Sequence, residues 1–253
     1  MNDEPGCHAF RARRRGTLVA LGSAGAWLLG SRSLAQTGVG SSGRLPACVL
    51  TPAQTEGPYF VDGRLDRSDI RADPSSGTTK PGALLMLELG VSSMNGAQCL
   101  PVESAIVDIW HCDAAGAYSD ADDMSVIGPL QGTNSTRRGS RFLRGYQVTD
   151  SNGIVRFTTI YPGAYPGRAV HVHFKVRMNA GARGRHLNFT SQLYFDDALT
   201  DRVHAAPPYS GAQRRTRNPS DGLYRQGGRE LQLGVASVRD GYAARYDIGL
   251  RSA

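Results

Sequence analysis

The chain has no long amphipathic helix, no internal repeat and no Cys-x-x-Cys pair. It also lacks an apolar run that would make a convincing membrane span: Leu18 to Gly30 is too short and too rich in glycine. Without long helices or repeats, short alternating segments are left as the material of the fold. Of the four cysteines, Cys7 falls in a leader-like N-terminus and Cys48, Cys99 and Cys112 remain. Three thiols cannot build a four-cysteine zinc site, and a disulfide among them leaves one over. The sequence does not assign that pair. Strong charge of one sign is also missing. Of 29 basic and 22 acidic side chains, residues 1–35 hold five and two, so the remainder carries 24 against 20, a mild +4. Arg214-Arg215-Thr216-Arg217 has neither a helix nor an aromatic ladder beside it, so it reads as a solvated loop and no nucleic-acid partner is expected.

The N-terminus reads as an address. Arg13-Arg14-Arg15 precedes the apolar run, and Ser33-Leu34-Ala35 follows it as a small-residue cleavage pattern. Residues 1–35 are therefore expected to be an export signal, cut after Ala35, leading to the periplasm or the medium. The paired arginines suggest the twin-arginine route, although no lysine closes the motif, and a Sec signal is the alternative. Residues 36–47, rich in Gly and Ser, read as a flexible linker, and residues 48–253 as the folded domain.

With 31 Gly and 13 Pro spread among short alternating stretches, an all-β fold is expected. Leu84–Val91, Ala105–His111, Phe142–Thr149, Ile154–Ile160, Ala169–Val176, Thr190–Phe195 and Gly241–Leu250 read as strands. Asp150-Ser151-Asn152-Gly153 has turn chemistry and suggests a hairpin between the two strands around it. Ser119 to Arg141 reads as an irregular surface loop. The sum is a β-sandwich with long loops at one end, around a metal site.

The metal expectation rests on Ala169-Val170-His171-Val172-His173-Phe174-Lys175-Val176. Side chains alternate along a strand, so His171 and His173 share one face while Val170, Val172, Phe174 and Val176 share the other. A bare His-x-His is equally compatible with a solvated strand face. Its neighbours favour a metal: Tyr165 lies in the Pro/Gly-framed loop Tyr161–Arg168, and Tyr118 ends the glycine-containing loop Cys112–Tyr118. A phenol with a pKa near ~10 is held as phenolate at neutral pH only by a strongly Lewis-acidic ion. Iron(III) meets that demand, whereas zinc favours His, Cys and carboxylate.

Asp108-Ile109-Trp110-His111-Cys112-Asp113 through Gly116-Ala117-Tyr118 resembles the first-tyrosine motif of the intradiol ring-cleavage dioxygenases. Pro162-Gly163-Ala164-Tyr165-Pro166, Arg168 and His171-Val172-His173-Phe174 are similar to the second-tyrosine and histidine motif. Thr55-Glu56-Gly57-Pro58-Tyr59 resembles the family's N-terminal arm, and Ser191-Gln192-Leu193-Tyr194-Phe195 the segment with an active-site glutamine. The gap between Tyr165 and His171 is shorter than in typical catechol or protocatechuate enzymes, and the helical N-terminal segment used for dimerisation is missing. The leader and the Trp-His-Cys-Asp run look like the secreted branch. The resemblance implies a non-haem iron(III) held by Tyr118, Tyr165, His171, His173 and a hydroxide. It implies that Tyr165 leaves when substrate binds, that Arg168 stabilises a carbanion-like substrate, and that Gln192 orients substrate or dioxygen. The implied partners are a catechol-type aromatic and dioxygen, and a homo-oligomer is compatible with it. Two other readings compete: a non-catalytic extracellular binding module on the same sandwich, and a copper site on the His pair. The first predicts missing ligands, whereas all four are present; the second leaves two tyrosines unexplained.

His111 is expected to be structural or to support the ligands from behind rather than to bind metal, Tyr59 a packed aromatic, Trp110 a core or pocket-lining residue, Lys175 a solvent-facing neighbour, and His186 and His204 surface residues. Arg71, Arg141, Arg144 and Arg168 are candidates to meet a substrate carboxylate.

Overall fold

The structure is a computed structural model that describes residues 49–95, 98–120, 124–125, 128–129, 139–178, 187–209 and 215–251. The proposed signal (1–35), the linker (36–47), Cys48, His186 and most of the 119–141 loop lie outside the described residues. The chain divides into units 1–43 and 44–253, and everything described belongs to the second. No helix among the described residues is long and apolar enough to cross a membrane.

The fold is an all-β sandwich. In the first sheet, β1 (Leu84–Asn95) runs parallel to β11 (Gly241–Arg251). Its other edge pairs antiparallel with β7 (Ile154–Ile160) and then with β2 (Gln98–Pro101). β10 (Gly234–Val238) lies outside β11. The second sheet has the order β6 (Arg144–Val148), β3 (Ile106–Trp110), β8 (His171–Met178), β9 (Leu187–Tyr194), all antiparallel. Between β3 and β6 the chain forms a two-residue ladder of β4 (Met124–Ser125) and β5 (Gly128–Pro129). One short helix, α1 (Asp197–His204), follows β9, its first turn capped by the Asp196 carboxylate accepting from the Leu199 amide.

Alternation builds the interior. Leu85, Leu87, Leu89 and Val91 of β1 face Val107 and Ile109 of β3 and Val172, Phe174 and Val176 of β8, and all are buried. Each such side chain contributes about 1.5–3 kcal/mol through burial. His171 and His173 consequently point out of the sandwich, on the outer face of the second sheet.

An extended arm then covers that face. Thr51 donates its amide to Gly249 O, and Gln54 donates to Thr190 O on β9. Farther along, Asp66 bridges to Tyr146 of β6 and Asp69 to Thr158 of β7, so the arm also closes the seam between the two sheets at that edge. The Arg67 guanidinium pins it there by donating to the carbonyls of Ala72, Arg141 and Arg144.

The expected hairpin between Phe142–Thr149 and Ile154–Ile160 is not formed. The turn itself exists: Gly153 donates to Asp150 O, and the Asp150 carboxylate accepts from Asn152 and Ile154. However, β6 pairs with β3 and β7 with β1, so the turn crosses between layers. The Val91 amide donating to Gly153 O ties the turn to the first sheet. Alternation specifies which face of a strand is buried, not which neighbour it pairs with, and a hairpin and a crossing turn share one pattern. Among the remaining cysteines, Cys112 is a buried free thiol and Cys99 is disulfide-bonded; its partner lies outside the described residues.

Candidate metal centre

His171 and His173 lie between neighbours that complete a polar patch. His173 is opposite Trp110 on β3 and Gln192 on β9, and His171 is opposite Tyr194. Although they face outward, the two imidazoles are only 2% and 1% exposed, because the arm and the two tyrosine-bearing loops cover them. His171 Nδ1 lies 2.6 Å from Ala169 O. A carbonyl can only accept, so Nδ1 carries the proton and the Nε2 lone pair is left free, as a metal ligand requires. That Nε2 is 3.0 Å from His173 Nε2, 3.1 Å from Tyr165 Oη and 3.5 Å from Tyr118 Oη. His173 is held differently. Its ring stacks on the Trp110 indole at 4.9 Å and 6°, and its buried Nδ1 has no hydrogen-bond partner among the described residues.

The loops that bring the phenols are locked to each other. In the first, the Asp113 carboxylate accepts from the amides of Ala115 and Ala117, and Gly116 takes φ +81°, a conformation that favours glycine. In the second, the Gly163 amide donates to Asp113 O. A Cβ at Gly116 would lie 2.3 Å from Ala164 O, and one at Gly163 2.4 Å from Asp113 O, so backbone packs on backbone. Tyr118, 4% exposed, is covered by Tyr59, whose ring stacks on it at 4.2 Å and 14°. Buried Arg144 secures this lid: it donates to Ser119 Oγ at 2.7 Å, Ser119 O at 2.5 Å and Tyr59 O at 3.1 Å. His111 sits below, with Nδ1 at Cys112 O and Nε2 at Thr159 Oγ1, 2.8 and 2.7 Å, in the structural role expected of it.

Dryness sets the electrostatics. Burial pushes His171 down to about 3 and His173 well below the ordinary imidazole range, so both rings are neutral. Burial pushes both phenols up; at Tyr165 the Arg168 charge opposes it without prevailing. The Nε2 atoms of two neutral imidazoles and two phenol oxygens thus crowd a water-poor point, with the Arg168 charge beside it. This donor set fits a hard, strongly Lewis-acidic cation, which would draw the phenols into the anionic form. Among the described residues no three His, Cys, Asp or Glu side chains gather in metal-binding geometry; the oxygens beside the His pair are those of the two phenols.

Arg168 and Gln192 stand together beside the donors. Arg168 donates from Nε to Asp221 Oδ2 at 3.0 Å and from Nη2 to Gln192 Oε1 at 2.5 Å. Gln192 Nε2 donates to Thr55 O, so both ends of the amide are engaged. The arginine candidates separate here. Arg71 pairs with Asp69 and Arg141 with Asp120, while Arg144 holds the lid.

Two expectations are corrected. Lys175 does not face solvent: its ammonium binds Glu56 of the arm at 2.6 Å and lies 4.3 Å above the Phe60 ring. His204 is not a surface residue: it ends α1 half-buried, stacks on Tyr209, and its Nε2 meets Pro162 O at 2.9 Å. Sequence reasoning missed Asp221, Tyr194 and Gln54. Tyr194 Oη donates to Gln54 Oε1, and Gln54 Nε2 donates to Leu223 O. Tyr194 was within reach, since it lies two residues after Gln192 and so shares its strand face.

A family model described as "Dioxygenase" matches residues 55–218. Chlorocatechol 1,2-dioxygenase of Pseudomonas sp. (strain P51) is 27% identical over 149 residues, covering 56% of this chain and 54% of that protein. The chain thus spans about half the length of the curated relatives it matches. Among solved structures, the intradiol ring-cleavage dioxygenase from Tetranychus urticae superposes with a TM-score of 0.66 at 29% identity, covering 81% of this chain and 95% of that one. The dioxygenase domain of a dioxygenase–carbohydrate-binding protein fusion from Streptomyces sp. SirexAA-E gives 0.55 at 27% identity, covering 81% and 100%. With the family match running from the arm beneath Tyr59 through both tyrosine loops and the His strand, this chain belongs to the intradiol ring-cleavage dioxygenase family.

Proposed function

We propose that this protein is a non-haem iron(III) dioxygenase that opens the ring of catechol-type aromatics between the two hydroxyl-bearing carbons. Both atoms of dioxygen enter the product, a muconate-type diacid. The observation that carries the reading is the convergence of His171 Nε2, His173 Nε2, Tyr165 Oη and Tyr118 Oη, with 3.0–3.5 Å from the first to the other three, on a face the loops keep dry. Family membership supports it.

Iron(III), when bound, supplies the Lewis acidity that ionises the phenols and makes a chelated catecholate reactive toward dioxygen. His171, its tautomer fixed by Ala169 O, and His173, held against Trp110, would hold it together with Tyr118, buried under Tyr59, and Tyr165. Tyr165 is half-buried, with exposed Pro166 and Gly167 beside it, so its oxygen is the one placed to take one proton from an incoming catechol, the second passing to water. Arg168 holds a fixed positive charge next to Tyr165, where negative charge develops on the substrate. Gln192, with both ends engaged, acts on the substrate through Arg168.

The export reading of residues 1–35 assigns the protein to the periplasm or the medium. The disulfide at Cys99 accords with an oxidising compartment.

The test is the visible spectrum of iron-loaded protein, then oxygen uptake with a panel of catechols. A broad tyrosinate-to-iron(III) band that shifts when catechol is added without oxygen, followed by equimolar oxygen uptake and diacid formation, is the expected result. A protein that stays colourless after iron reconstitution and consumes no oxygen overturns the proposal. Fractionation of the native host checks the compartment: full-length protein retained in the cytoplasm contradicts export.

A further inference from the structure

The Asp221 carboxylate, 1% exposed, lies beneath the centre and makes contacts that the catalytic scheme above does not use. Its Oδ2 accepts from Arg168 Nε at 3.0 Å and from the Ala169 amide at 2.8 Å. Its Oδ1 accepts from the amides of Leu223 and Tyr224 at 2.7 and 3.3 Å. Ala169 is in turn the residue whose carbonyl holds His171 Nδ1 at 2.6 Å. One carboxylate thus grips both sides of the junction between the tyrosine loop and the His strand. On one side it orients the guanidinium; on the other it fixes the peptide that sets the tautomer of a candidate ligand.

We propose that Asp221 is a positioning residue of this centre: it holds the Arg168 guanidinium toward Tyr165 and fixes the Ala169 peptide that orients His171. The inference rests on the iron-dioxygenase reading for its catalytic consequence, but not for its geometry. Three observations separate this role from a generic buried ion pair. Arg168 is tethered from two elements at once, by Asp221 through Nε and by Gln192 through Nη2, which leaves its plane no freedom to turn. The Asp221 contacts are saturated: its two oxygens receive four donors, three of them backbone amides, so the carboxylate cannot follow Arg168 if that side chain moves. Tyr194 Oη, 3.3 Å from Arg168 Nη2, continues the network to Gln54 of the arm, which links the guanidinium to the segment that covers the centre. Burial alone would raise Asp221, yet the Arg168 charge and the amides leave it lower than usual, so it is ionised throughout the neutral range.

The test compares wild type, Asp221→Asn, Arg168→Gln and the double variant. In the iron-free protein, the Arg168 Nε–H is read by NMR as a slowly exchanging resonance. It is expected in wild type and lost in Asp221→Asn, where a neutral amide with one acceptor oxygen faces donors at both ends and the guanidinium loses its counter-charge. In the iron-loaded protein, Asp221→Asn is expected to lower kcat by about ten- to hundred-fold with KM for catechol within about two-fold, the pattern of an interaction made in the transition state. In the Arg168→Gln background the same substitution should cost clearly less than in wild type, because only the part that acts through the Ala169 peptide and His171 remains. An unchanged Arg168 resonance in Asp221→Asn, or equal losses of kcat in both backgrounds, overturns the proposal. Should Asp221→Asn fail to fold, Asp221→Glu retains the charge but displaces the oxygens; it should still lose the protected resonance, and its retention overturns the proposal. If wild type neither binds iron nor consumes oxygen, the dioxygenase reading fails while the NMR comparison still decides the role of Asp221.

Discussion

The outer faces of the two sheets are built by the same alternation and end in opposite conditions. On β8 the outward positions include His171 and His173, 2% and 1% exposed beneath the arm and two loops. On β1 the outward positions include Met86, 43% exposed, and Glu88, which pairs with Arg156 and Arg245 across its neighbouring strands. One face holds two neutral imidazoles in a dry space; the other carries charge pairs in water, where they contribute little. Strand register therefore aims the donors, and the covering loops make them chemically unusual. A His-x-His on the open face would titrate normally and compete with water for any metal.

The largest expected effect tests the covered face directly. His173→Ala or Tyr118→Phe should abolish iron retention and the tyrosinate band, measured by metal analysis and visible absorption. Met86→Ala on the open face should leave both unchanged. Normal iron in either first variant would break the comparison.

Next comes the cost of the covering. Arg144→Met removes three hydrogen bonds from a buried guanidinium and leaves carbonyls of the lid unpaired, so urea unfolding should show a loss of about 2–3 kcal/mol. Arg245→Met on the open face should stay within about 0.5 kcal/mol. Similar values for the two would mean that the lid carries no stability.

The buried histidines predict an acid response of the iron-free protein. His171 is pushed down to about 3 and His111 to about 4, against an unfolded value near ~6.5. Between those limits the unfolded chain binds the proton and the folded one does not. Stability should thus be fully present above about pH 6.5 and fall as the pH drops toward 4, by about 1.4 kcal/mol per pH unit for each histidine. His111→Gln should remove about one histidine's share of that slope in denaturation at several pH values; an unaltered slope would contradict neutral burial of His111.

The smallest effect sits at the rim of the cover. Glu56→Gln breaks the pair with Lys175, whose partners are 37% and 15% exposed, and should cost about 0.5–1 kcal/mol. Thermal unfolding at low and high salt sharpens this estimate, since the wild-type advantage should shrink with salt.

Much of the layout was legible because it depends on local period. The parity of Val170, Val172, Phe174 and Val176 against His171 and His173 needs nothing beyond strand geometry, and the structure keeps it. Tyr118 and Tyr165 were recognisable from punctuated loops beside strands. The order of pairing was not legible, and the Asp150–Gly153 turn joins different sheets for reasons that lie in β1 and β3. Lys175 and His204 were misjudged because their partners, Glu56 and Pro162, are distant in sequence. Asp221 carries no local signal at all: it follows Asn-Pro-Ser in a turn, and what it holds lies 53 residues upstream.

The backbone contact between the two tyrosine loops has a mechanical consequence. With Gly116 against Ala164 and Gly163 against Asp113, the loops behave as one rigid jaw whose gauge is set by main-chain thickness. Were Tyr165 to give way to a substrate, it would do so by rotating about its own side-chain bonds rather than by its loop swinging open. The gap between the loops is then a fixed dimension of the fold, and even a single methyl group at either glycine would wedge the jaw and displace both phenols together.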